Sequence, residues 1–163
     1  MKKLIFIISL LIALTASAQS NGNTQAWIKA TIENYINKNA YNLLNVNFTE
    51  DAKDISIMEM DGSTISYSEM PLKNINQVFI KESASGYTLS LLCSYDKACC
   101  ETGTYRPNAN GSAIKVPSTE PDKTGINIFM SASLKDDDMN IRLKKALVHL
   151  ITLNGGKVLS DTF

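Results

Sequence analysis

From Val46 to Met130 the apolar residues recur at every second position, in short runs broken by turn-forming residues. A period of two puts alternate side chains on opposite faces of a strand, so this stretch has to bury its apolar side in a sheet rather than along a helix. Val46 and Phe48 mark a first strand, Ile55 and Ile57 a second over Asp54 to Met60, and Ile65 and Tyr67 a third over Ser63 to Met70. Asp61 and Gly62, between the second and third, are a two-residue hairpin signal of type I′, in which glycine accepts the positive φ. Pro71 lacks the N–H that a ladder needs, so Leu72 to Ile75 bridges to a fourth strand at about Asn76 to Glu82. Ser83 to Gly86 has turn chemistry, and Tyr87, Leu89, Leu91 and Cys93 line one face of a fifth strand. Glu101 to Gly111 is polar, contains Gly103 and Pro107, and reads as a mobile loop. Ile114 and Val116 form a short sixth strand and Ile126, Ile128 and Met130 a seventh, with a loop over Ser118 to Gly125.

Helical spacing flanks this block on both sides. Thr24 is placed to cap a helix running to about Lys38, with Ile28, Ile32, Tyr35 and Ile36 on one face and Trp27 at its border as a packing residue. At the other end, Asp136, Asp137 and Asp138 put negative charge at the start of a helix, where it suits the dipole and offers a cap. Met139, Leu143, Ala146, Leu147, Leu150 and Ile151 give that helix a broad apolar face, and Gly155 and Gly156 stop it. The chain shows neither a solenoid repeat nor a low-complexity tract.

The N-terminus has the pattern of a cleavable secretory signal over residues 1–18. Lys2 and Lys3 precede an apolar run from Leu4 to Leu14, and Ala16 and Ala18 form a small-x-small site before Gln19. The run is shorter than the roughly 20 apolar residues of a membrane span, so no transmembrane anchor is expected after cleavage. The expected mature protein is a single domain over residues 19–156 with a tail over 157–163, working in the periplasm or outside the cell. The full chain carries 16 basic and 16 acidic residues, and losing Lys2 and Lys3 leaves it slightly acidic, which argues against nucleic acid as a partner. Cys93, Cys99 and Cys100 lie in one short stretch, and in an oxidising compartment Cys93 can bridge to either Cys99 or Cys100.

A leading helix, about seven antiparallel strands and a closing amphipathic helix resemble a pleckstrin-homology-like barrel or sandwich, an α+β fold. The order of elements and the segments Met70 to Ile75 and Arg142 to Ile151 are also similar to those of small exported Bacteroidota proteins of uncharacterised function, over most of residues 24–156. Phosphoinositide binding, which in pleckstrin-homology domains uses a basic loop between the first two strands, is not implied here, because Thr49 to Asp54 is acidic. A tryptophan often found in the closing helix of those domains is also missing.

Chemistry-bearing residues are sparse. Asp136, Asp137 and Asp138 lack the spacing of an EF-hand calcium loop, and Glu59, Asp61 and Gly62 are explained by the hairpin. Glu50 and Asp51 fall in a turn, and His149, the single histidine, shares the polar side of the last helix with Arg142, Lys145 and Thr152. Arg142, Lys144 and Lys145 are too few for a nucleic-acid surface. No nucleophile elbow, phosphate loop, dinucleotide fingerprint or zinc-protease motif is present, so no catalytic residue, metal or cofactor is expected. The expected function is a non-catalytic binding or interaction module for a protein or peptide, with the loop from Glu101 to Gly111 and the cysteine cluster as its first candidates. A cysteine-dependent hydrolase or redox protein and a structural envelope component are the alternatives.

Overall fold

The computed structural model describes residues 22–41, 43–49, 51, 53–94, 97–120 and 122–159. The expected signal segment 1–18, its junction at Ala18 and Gln19, Glu50 and the last four residues of the expected tail lie outside the described residues.

Among the described residues, eight strands follow one α-helix and precede another. Helix α1 covers residues 22–35. The strands are β1 (Leu43–Phe48), β2 (Asp54–Asp61), β3 (Thr64–Pro71), β4 (Ile75–Ser83), β5 (Gly86–Cys93), β6 (Glu101–Pro107), β7 (Ala113–Pro117) and β8 (Gly125–Met130), and helix α2 is Met139–Leu153. They make an α+β fold of two antiparallel sheets, one in the order β1-β2-β3-β6-β7 and the other β4-β5-β8. The sheets do not close into a barrel. The chain leaves the larger sheet at Pro71, crosses in a 3-10 turn over Leu72–Asn74 and enters β4 of the smaller one. Outside the named ladders, the pairings are isolated bridges between Cys100 and Lys123 and between Ile36 and Met130.

Strand β6 replaces the mobile loop expected over Glu101 to Gly111 and raises the count to eight. Its alternating positions carry Thr102, Thr104 and Arg106 on one face and Glu101, Gly103 and Tyr105 on the other, so no apolar period reveals it, and Gly103 and Pro107 read as loop punctuation. In the fold Gly103 sits under the ring of Tyr67: a Cβ there would stand 2.3 Å from the Val116 carbonyl oxygen and 2.7 Å from that ring. The β2–β3 turn is also shifted by one residue. Asp61 pairs with Thr64, so Gly62 and Ser63 are the central pair, with positive φ at Gly62 and not at Ser63. Glycine in the first central position is the type II′ pattern rather than type I′.

The core lies between the inner sheet faces and the two helices. Strand β5 contributes Tyr87, Leu89, Leu91 and Cys93, and β8 contributes Ile126, Ile128 and Met130, on the alternating faces expected. Ile28 and Ile32 of α1 and Leu143, Leu147, Leu150 and Ile151 of α2 close it. Helix α2 ends in a Schellman arrangement, with Gly155 at φ 83°, its N–H donating to the Thr152 carbonyl and the Gly156 N–H to that of Ile151. Thr24 falls inside α1 rather than at its cap, and Ile36 leaves the helix to bridge Met130. Asp137 and Asp138 adopt left-handed backbone angles in the reversal that precedes α2, and Asp138 makes no side-chain cap hydrogen bond. They turn the chain, as Asp can in that region, rather than capping the helix.

Candidate functional site

Each sheet has two edge strands, and an edge presents backbone N–H and C=O groups that need a partner or water. The β1 edge is covered by side chains of α1. Glu33 Oε1 accepts the Val46 N–H at 2.9 Å, while Lys29 Nζ donates to the Val46 carbonyl and to Glu33 at 2.7 Å. Together the two side chains occupy both edge groups of Val46, as a neighbouring strand would. At the β8 edge, the Phe129 carbonyl accepts from the Asn37 N–H and the Phe129 N–H donates to the Tyr41 hydroxyl. Along β4, helix α2 packs against the strand and the Leu159 N–H donates to the Asn76 carbonyl. The fourth edge, β7, has no such partner among the described residues.

The orientation of the β7 edge follows from its pairing with β6. The N–H of Asn108 bonds the Ser112 carbonyl and the N–H of Ser118 bonds the Thr102 carbonyl, so residues 112, 114, 116 and 118 face β6. Ala113, Lys115 and Pro117 therefore turn their backbone groups outward. Pro117, which has no N–H, ends the edge at one side, which is where a sheet tolerates proline.

Beside this edge the inner face of the larger sheet changes character. Near β1 and β2 it carries Val46, Ile55 and Ile57, all buried. Towards β7 the register continues through Ser66 and Ser68 on β3 to Thr104 and Thr102 on β6 and to Val116 on β7. The smaller sheet does not cover this polar half, and a trough results, formed by two adjoining hollows of about 230 and 630 Å3. Serine and threonine hydroxyls make its floor. Glu59, Arg106 and Lys123 add charge to its walls, and Gly125 and Asn127 of β8 line its far side.

The outer face of the same sheet is braced by Tyr67. Ile65 and Tyr67 do not point into the main core as their alternation suggests. Ile65 is exposed, and Tyr67, only 2% exposed, is covered on the outside. The Tyr105 ring lies 5.5 Å from it, Lys115 Nζ stands 4.8 Å over its face, and its hydroxyl donates to Glu101 at 2.7 Å. Lys115 also pairs with Glu69. Burial and the Glu101 carboxylate push the Tyr67 hydroxyl up, to about 12. This layer ties β3, β6 and β7 together from behind and does not reach the outward backbone groups of Ala113 and Lys115.

The residues singled out in the sequence are placed as follows. Cys93 and Cys99 form a disulfide. Cys100 is free and fully buried, and burial pushes its thiol up, to about 11, away from the thiolate form that a nucleophile needs. His149 is exposed on α2 beside Lys145 and Val148. Asp136, Asp137 and Asp138 are exposed, and among the described residues no three His, Cys, Asp or Glu side chains gather to hold a metal ion. Trp27 packs against the core, with the Arg142 guanidinium 5.7 Å from its ring centroid. No helix among the described residues is long and apolar enough to cross a membrane. Sequence reasoning pointed to the stretch containing β6 but as a loop. The trough and edge depend on which strands pair, and no local motif announces that.

Among the described residues, fold and site together define a two-sheet α+β scaffold with an open strand edge beside a hydroxyl-lined trough. Comparison with protein-family models, characterised proteins and solved structures finds no match to this chain.

Proposed function

We propose that the protein is an exported binding module that captures an extended peptide by adding it as a strand to β7. The observation that carries this reading is the edge itself: Ala113 and Lys115 offer outward N–H and C=O groups, while the other three edge strands have partners. Main-chain bonds at such an edge supply affinity for any extended chain, and pockets for alternate side chains supply selectivity. Here, alternate side chains of the added strand turn towards the trough, whose hydroxyl floor and charges at Glu59, Arg106 and Lys123 suit polar rather than apolar groups.

Export is supported by the signal pattern of residues 1–18 and by the Cys93–Cys99 disulfide, a bond that persists in oxidising compartments. The cysteines give little support to the catalytic alternative, since two are bonded to each other and the third is buried with a raised pKa. A relationship to pleckstrin-homology-like barrels is part of the same proposal. Two antiparallel sheets and a closing helix support it, and the open side between the sheets is where this chain departs.

Selection from a displayed library of random linear peptides tests the reading, with Ala113→Pro as the control. That substitution removes an outward N–H and leaves the bonds to β6 in place. The expected result is a set of binders that lose at least tenfold in affinity on Ala113→Pro. Peptides that bind the variant and the parent equally would place recognition elsewhere.

A further inference from the structure

An antiparallel strand added at β7 has its register set by the outward groups there. Ala113 and Lys115 each exchange two main-chain bonds with the residue facing them, and the residue between those two pairs stands directly opposite Ile114. Residues opposite each other share a face of the sheet. Ile114 lies on the same face as Val116, which lines the trough, so the side chain facing Ile114 turns to the trough side. Ile114 itself is 46% exposed and offers that side chain an apolar surface.

The neighbour of Ile114 on its other side is Arg106 of β6. The bonds that flank them, from the Asn108 N–H to Ser112 and from the Ser118 N–H to Thr102, make Arg106 and Ile114 a hydrogen-bonded pair. Cα atoms stand about 5.5 Å apart in such a pair and about 4.5 Å apart in the pair beyond it, so about 10 Å separates Arg106 from the added residue. An arginine stem lying over Ile114 spans most of that gap and carries the guanidinium at its far end. Arg106 is exposed, lines the trough and takes part in none of the ion pairs among the described residues. The carboxylates of the same sheet are turned elsewhere. Glu101 accepts from the Tyr67 hydroxyl and Glu69 pairs with Lys115, both on the outer face, while Glu59 lies on β2, three strands from β7. Glu120, past the Pro117 end of the edge, is exposed and does not line the trough.

We propose that the chain added at β7 is an acidic one: a glutamate opposite Ile114 presents its carboxylate to the Arg106 guanidinium. This rests on strand addition at β7 and names the side chain that the edge selects. The planar fork of arginine meets a carboxylate with two parallel bonds, and the glutamate methylenes cover Ile114. On the outer face, the position opposite Lys115 has no such partner, because the Lys115 ammonium stands over the Tyr67 ring and pairs with Glu69. An acid is therefore favoured at the trough-facing position and not at its immediate neighbours, a selectivity with the period of the strand.

Amide NMR titration tests this with short threonine peptides, blocked at both ends, that carry glutamate, glutamine or lysine at the centre. Saturable shifts of the Ala113 and Lys115 amides are expected with all three. The glutamate peptide should bind about fivefold more tightly than the glutamine one and the lysine peptide most weakly, with the differences fading at high salt. Arg106→Gln should bring the glutamate and glutamine peptides to equal affinity without weakening the glutamine one. Equal binding of those two by the parent, or a glutamate preference that survives Arg106→Gln, would overturn the acidic selectivity and leave strand addition standing. No shift at either amide with any of the peptides would remove strand addition and this inference with it.

Discussion

At the scale of single residues, two positions do work that their types alone do not announce. Gly86 has a φ of 139°, and a Cβ on it would stand 2.2 Å from the Met130 carbonyl oxygen, a backbone atom that cannot swing aside. Gly86→Ala is therefore expected to cost at least about 2 kcal/mol in urea unfolding, through strain and a forced separation of β5 from β8. Tyr67 is the second. The folded protein holds its proton up to about 12, whereas the ordinary value is 10.0. Because the unfolded chain releases that proton first, the stability from this group is intact below pH 10 and is lost as pH rises towards about 12. Ultraviolet titration should show one late tyrosine that disappears in Tyr67→Phe, and the variant should lose less stability over that range.

At the scale of elements, legibility in the sequence tracks how apolar an alternating face is. Strands β5 and β8 were readable because Leu89, Leu91, Ile126 and Ile128 face the core at every second position. The stop of α2 was readable because Gly155 and Gly156 are the residues a Schellman turn requires. Strand β3 was readable as a strand but not in its facing: Tyr67 is buried on the outside because Gly103 leaves room for its ring, a long-range fact. Strand β6 was hidden because hydroxyls at Thr102 and Thr104 carry no hydropathy signal. The covering of β1 by Lys29 and Glu33 was likewise hidden, since two side chains of a helix stand in for a strand. Glu33→Ala leaves the Val46 N–H without its acceptor, with an expected loss of about 1–2 kcal/mol. Hydrogen exchange should show faster exchange at Val46 with little change in β5.

At the scale of the whole molecule, the arrangement follows from how each edge is finished. Helix α1 closes one side of the larger sheet at β1 and joins the smaller sheet at β8, α2 packs against β4, and the disulfide holds the segment leading from β5 towards β6. The candidate site was illegible in the sequence for the same reason, because it consists of what pairing leaves unpaired. Strand addition at β7 rests on the edge being open and regular, and amide exchange along that strand measures this directly in the free protein. Ile114 and Val116, which face β6, should be protected, while Ala113 and Lys115 should exchange at rates close to those of unstructured amides. Protection of all four, or protection of Ala113 and Lys115 alone, would mean that the edge is already covered or the register differs, and would contradict the account.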